Sequence, residues 1–278
     1  MQPSELTIID RVAVPRIRDL HDLCQNFPAF AYPPAGGSQL AHDHDDLEGL
    51  FSTPVRLFEL LATARDQVAD WLNEIHADSE EARNDEVADP DELVHVPALD
   101  YPIRWAPPLS RALTDAAIAL WLQCPHGGDT RLARYLAFEL AETRRLRRAL
   151  RSARLSQGLA DVRARGIQRL AQPHGIRVRP SVPLGEALDH ASPWSGVGSR
   201  LAGVHGLVTL VGEGSTEALH ALARLPIEGD AGLRDDSDPR STALAVALTA
   251  TSSVLRRAVS LYERSSVGDL PRGTLGVS

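Results

Sequence analysis

The sequence predicts an all-α protein, a bundle of about six to eight helices joined by long irregular connections. Three observations carry that expectation. Apolar side chains recur at intervals of three, four and seven residues over several long segments. Those segments start and stop at residues suited to helix termini. No segment keeps the alternation of a half-buried strand, and only Val94 to Val96 suits a short extended piece.

In chain order, the organisation reads as a loop-rich N-terminal segment (1–50), a helical core (51–172) and a C-terminal helical part (173–278) packing on the same bundle. Residues 26–50 carry Pro, Gly and Asp and read as loop. At residue 53 a helix begins, with Thr53 as cap and Pro54 at the first position, where its missing N–H costs nothing. Phe58, Leu61, Val68, Leu72 and Ile75 form its apolar face. Residues 77–104 again read as loop. The pair Pro107-Pro108 then precedes a helix that ends at Pro125 with Gly127 and Gly128 behind it. Leu113, Ala117, Leu120, Trp121 and Cys124 make its stripe, and its alanines allow close approach of a neighbour, so this is the expected central buried helix.

Residues 129–172 form a long helical tract broken near Ser156-Gln157-Gly158. Leu132, Leu136 and Leu140 begin an apolar stripe that Leu155, Leu159, Val162 and Leu170 are expected to continue. Residues 173–195 read as a connector with at most a short helix. An apolar stretch (197–211), a turn at Gly212 to Ser215, and a helix from Ser215 with Leu219, Leu222 and Leu225 follow. The last helix, about 240–265, carries Leu244, Leu248, Leu255, Val259 and Tyr262, with Gly268 placed after its end. There is no internal repeat.

Composition narrows the function classes. All 29 basic residues are arginine, against 37 acidic ones, so the net charge is -8 and contact with a phosphate backbone needs a local basic patch. Cys24 and Cys124 have no metal-ligand spacing and read as ordinary half-buried thiols. The N-terminus lacks a basic and then apolar signal pattern, and no uncharged run approaches a membrane span, so the chain is expected in the cytoplasm. DNA, a membrane and a cofactor are not expected. A second copy of the chain, another protein or RNA are the partners this reading admits.

Three constellations carry chemistry. His42, His44, Asp45 and Glu48 can together hold a divalent metal, or form a solvated acidic lead-in to a helix. Between residues 144 and 154 lie six arginines; Arg144, Arg145, Arg148 and Arg151 are the RNA-binding candidates, and a solvated face paired with Glu139, Glu142 and other acids, or a partner surface, are the alternatives. The glycine-rich piece at 196–203 lacks both a strand before it and a Lys-Ser/Thr ending, so it is no nucleotide loop. A Gly-x-Ser-x-Gly elbow is absent too.

The third constellation is Arg200 with His205, in an otherwise apolar stretch. The same spacing joins Arg16 to His21 and Arg169 to His174, so context must single this pair out. A Ser-Arg-Ala-Leu-Thr-Asp start at 110–115, a long Arg/Leu helix, a small-residue segment ending in His205-Gly206 and a final Ala/Leu/Arg helix supply it. Over residues 54–265 the chain resembles uncharacterised all-helical proteins of GC-rich bacteria that are distantly similar to HEPN-type helical RNases; Arg111, Asp115, Trp121, His205 and Gly206 carry the resemblance. The resemblance implies a dimer with a metal-independent site, Arg200 binding the scissile phosphate and His205 helping to move the proton of the 2′-hydroxyl. The chain departs from the pattern in two ways: Asp115 stands where Glu is usual, and Leu201 and Ala202 where a serine is usual.

Three functions are therefore in play. The first, favoured by the acidic balance and the lack of a strong motif, is a non-catalytic interaction or regulatory protein. The second is a HEPN-like endoribonuclease of stress or phage defence. The third is a metal-dependent helical enzyme.

Overall fold

The computed structural model describes residues 12–28, 35–46, 53–85, 101–123, 128–178, 184–228 and 238–267. Ten α-helices lie among them: α1 (Val14–Gln25), α2 (Gln39–Asp46), α3 (Thr53–Asp85), α4 (Pro102–Leu122), α5 (Gly128–Ser152), α6 (Gly158–Ala171), α7 (Leu184–Ala191), α8 (Leu201–Gly212), α9 (Thr216–Ala223) and α10 (Pro239–Ser266). A 3-10 turn, Ser192–Trp194, follows α7. No strand forms among the described residues; Val197 and Ile227 make an isolated antiparallel bridge. The protein is all-α.

Helix count and boundaries differ from expectation for physical reasons. Helix α2 forms inside a segment read as loop because Ser38, itself buried, accepts the Ala41 N–H at 3.1 Å and caps it. Helix α3 runs on to Asp85, and α4 starts at Pro102, ahead of the proline pair. Pro107 and Pro108 thus sit inside α4 rather than before it. Burial of Trp105 and Leu109 on the same face requires that first turn to be helical, and tertiary packing overrides the local breakers. Val94 to Val96 lies outside the described residues.

The chain divides into two compact units. The first comprises residues 1–28, 60–118 and 188–259. Its buried side chains include Leu20, Leu61, Val68, Trp71, Trp105, Leu109, Val204, Val208, Leu244 and Leu248, each contributing about 1.5–3 kcal/mol on leaving water. Helix α8 packs on α9. The turn between them needs Gly214 at φ +91°, and Ser215 caps α9 by accepting the Ala218 N–H at 3.1 Å. Gly196 has φ +65°, and a Cβ there would lie 3.1 Å from the Thr249 methyl, so only glycine fits.

The second unit comprises residues 29–59, 119–187 and 260–278. Helices α5 and α6 pack as a hairpin, and α2 packs on α5 through an ion pair of the buried Asp43 with Arg131 at 3.3 Å. Glu139, 3% exposed, is held between Arg56 (3.3 Å) and Arg163. Trp121 is buried as expected; the Arg134 guanidinium lies 5.0 Å over its ring and donates to its carbonyl at 2.7 Å.

The expected stripe across the α5–α6 break does not form. Leu155, Leu159 and Val162 are 60%, 71% and 60% exposed, while Ala160, Ile167, Leu170 and Ala171 are buried. The reason is a change of phase at the break. Helix α5 ends with Arg154 in the left-handed region (φ 58°), where the Leu155 N–H closes a bond to the Leu150 carbonyl at 2.8 Å. Helix α6 then starts afresh, with Arg163 turned to Glu139 and its neighbours Ala160 and Ile167 turned inward.

By length and composition α10 could cross a membrane, yet 72% of its most apolar window is buried in the protein, as in a core helix.

Candidate functional site

Arg200 is the N-cap residue of α8, extended in backbone and exposed. His205 lies in the second turn of α8, half-buried, and its Nε2 is 2.8 Å from Thr114 Oγ1 and 3.3 Å from Ser110 Oγ, both on α4. The histidine edge that carries Nε2 therefore faces two hydroxyls of a neighbouring helix, while Arg200 stands in solvent.

A hydrogen inventory assigns the protons. Thr114 Oγ1 donates to the Ser110 carbonyl at 2.9 Å, and Thr209 Oγ1 donates to the His205 carbonyl at 2.9 Å. Ser110 Oγ lies 2.8 Å from Thr209 Oγ1, whose proton is already committed, so Ser110 donates there. Each hydroxyl has then spent its one hydrogen. With the Thr114 hydroxyl turned to the Ser110 carbonyl, neutral His205 carries its hydrogen on Nε2 and donates to Thr114; the opposite tautomer reverses that bond. Burial pushes the imidazole pKa below its ordinary 6.5, so the ring is neutral near pH 7.

Ser110, Thr114 and Thr209 are the partners that motif spacing missed. Their signal is a pair of i, i+4 patterns, Ser110/Thr114 on α4 and His205/Thr209 on α8, polar rungs on otherwise apolar helices. Of the residues that carry the resemblance, Asp115 accepts from Gln67 Nε2 at 3.5 Å, and Arg111 is exposed and makes no ion pair with a described residue.

The arginine strip lies on the last turns of α5. Arg144, Arg145, Arg148 and Arg151 are all exposed. Arg145 pairs with Glu142 at 2.7 Å, and Arg147 bonds Gln157 at 3.1 Å and Asp161 at 3.4 Å. Arg148 and Arg151 have no partner among the described residues and border the exposed Leu155 and Leu159 in sequence.

The metal candidates sit on a helix rather than in an extended loop. His42 and Asp45 are exposed on α2, whereas Asp43 between them turns inward to Arg131 and accepts from Gln39 Nε2 at 3.2 Å. Glu48 lies outside the described residues, as does the side chain of His44. Among the described residues no three His, Cys, Asp or Glu side chains converge on a metal position. Cys24 is half-buried, donates from Sγ to the Arg65 carbonyl at 3.8 Å, and burial pushes its thiol up to about 11, which makes it a poor nucleophile. Cys124 lies outside the described residues.

Comparison with protein-family models gives no match, and comparisons with curated proteins and with solved structures give none either.

Proposed function

We propose that the chain is a non-catalytic interaction protein of HEPN-like architecture, whose contact face is the outer surface of the α5–α6 hairpin. One observation carries this reading: three large aliphatic side chains, Leu155, Leu159 and Val162, are left 60–71% exposed on a stretch bordered by Arg148, Arg151 and Arg154. Exposed apolar clusters with a polar rim favour a macromolecular partner over open water. The arginines select an anionic one, and the aliphatic centre favours an acidic amphipathic segment of a protein over RNA, which stacks on aromatic rings. The hydroxyl partners of His205 speak for a structural part for that histidine, and Arg200 is exposed with no partner among the described residues.

The test has two arms. Beads carrying the wild-type chain are expected to retain a protein partner from the source lysate that Leu159→Asp/Val162→Asp beads do not. Incubation with RNA in EDTA is expected to leave the RNA intact. Cleavage that His205→Ala abolishes favours the ribonuclease instead, and turnover only with an added divalent metal favours the metal enzyme.

A further inference from the structure

The charge of the chain is concentrated in two stretches of opposite sign. Residues 78–100 hold nine acidic residues against one arginine, Arg83, a net -8 that equals the charge of the whole chain. Residues 144–165, which span the end of α5, the break and the start of α6, hold eight arginines against one acid, Asp161, a net +7. Such stretches attract one another, with a reach of about 8–10 Å at ordinary ionic strength.

Each stretch also carries apolar side chains. Among residues 86–100, which lie outside the described residues, Val87, Leu93, Val94, Val96 and Leu99 stand between five acids, and no arginine is present. That segment runs straight into Tyr101 and Ile103, which are 57% and 64% exposed. On the hairpin, Leu155, Leu159 and Val162 are exposed, and so are Arg148, Arg151 and Arg154, which have no partner among the described residues. Five of the seven large hydrophobic side chains exposed among the described residues therefore belong to one or the other stretch. Fifteen extended residues reach about 50 Å, more than enough to follow two or three helical turns of about 5.4 Å each.

Hairpin against hairpin is disfavoured, since both copies bring the same +7. Acidic segment against hairpin matches sign with sign and covers aliphatic residues with aliphatic residues. We propose that residues 86–103 of one copy dock on the 148–162 stretch of a second copy. Each copy carries both halves, so reciprocal docking closes a two-fold dimer in which the first contact holds the second at high effective concentration. This inference rests on the hairpin reading above and names its partner.

Sedimentation velocity on the full chain, from about 1 to about 100 μM, tests it. A dimer is expected in about 50 mM salt, with a dissociation constant raised about tenfold or more in about 500 mM salt. Asp89→Asn/Asp91→Asn/Glu92→Gln weakens the acidic half and Leu159→Asp/Val162→Asp the hairpin half. Each alone is expected to weaken dimerisation about tenfold or more, with an unchanged circular dichroism spectrum. Mixing the two variants, one of them fluorescently labelled, is expected to restore a one-to-one complex through a single contact, because each still carries the half that the other lost. Should the hairpin variant fail to fold, Arg148→Gln/Arg151→Gln/Arg154→Gln takes its place. A monomer at every concentration, a dimer that both variants leave intact, or a mixture that forms no complex overturns the proposal. A monomeric chain that still loses a lysate protein through Leu159→Asp/Val162→Asp has a foreign partner, which sinks this proposal and keeps the hairpin reading. A hairpin variant that alters neither self-association nor capture sinks both.

Discussion

The α4–α8 contact around His205 and the outer face of the α5–α6 hairpin handle polar chemistry in opposite ways. At His205 a histidine and three hydroxyls turn toward one another, and every donated hydrogen finds an acceptor within 2.8–2.9 Å. On the hairpin, Arg148, Arg151 and Arg154 and the aliphatic Leu155, Leu159 and Val162 are all exposed, and these three arginines have no partner among the described residues. A polar group whose bonds close internally stabilises the fold, while a surface whose apolar area stays open is available to something else.

The largest effect is expected where the hairpin is anchored. Glu139 is buried against Arg56 and Arg163, and Glu139→Gln removes the charge that compensates both. Because the arginines are each about one-third exposed, part of the loss is recovered by water, and destabilisation of about 2–3 kcal/mol is expected in urea unfolding. A change below about 0.5 kcal/mol means that the carboxylate does not hold the hairpin.

Next comes the inward network. Thr114→Val removes the acceptor of His205 Nε2–H and is expected to cost about 1–2 kcal/mol, with Ser110→Ala costing about as much through the lost link to Thr209. The pair should be non-additive, since both residues serve one histidine. Additive losses would mean that the hydroxyls act separately, and the contrast with the hairpin would weaken.

The same contrast explains what was legible in the sequence. Periodicity located α3, the α5–α6 tract and α10, because leucines one turn apart must share a side of a helix. Ser215 announced the start of α9 through its hydroxyl, and the same signal at Ser38 was hidden behind the loop-like composition around it. Periodicity misplaced Leu155, Leu159 and Val162, since it reports which residues share a face and not which way that face turns after a break. The environment of His205 was legible only in part: spacing suggested Arg200, its neighbour in the chain, whereas the partners at Ser110 and Thr114 lie about ninety residues away and meet it only through the fold.

A smaller effect is expected from pH. Burial holds the folded His205 pKa below 6.5, so the unfolded chain takes up the proton first as pH falls. The stability tied to neutral His205 is then fully present above about pH 6.5 and lost as pH drops through the lowered folded value. His205→Gln keeps a donor for Thr114 but cannot titrate, so the difference in stability between variant and wild type should narrow from pH 7.5 to pH 5. A difference that stays constant across this range would show that the imidazole takes up its proton equally well folded and unfolded.

The smallest change in stability is expected from the most conspicuous side chains. Leu159→Ser/Val162→Ser removes two aliphatic groups that are 71% and 60% exposed, so little burial is lost and the unfolding free energy should stay within about 0.5 kcal/mol of wild type. Were these residues part of a core, as the helical spacing of Leu155, Leu159, Val162 and Leu170 suggests, the same double change would cost several kcal/mol. Equilibrium unfolding in urea separates the two outcomes. A near-zero loss of stability together with a lost partner places the value of these residues in association, since nothing in folding then accounts for leucine and valine in water beside arginines that have no partner among the described residues.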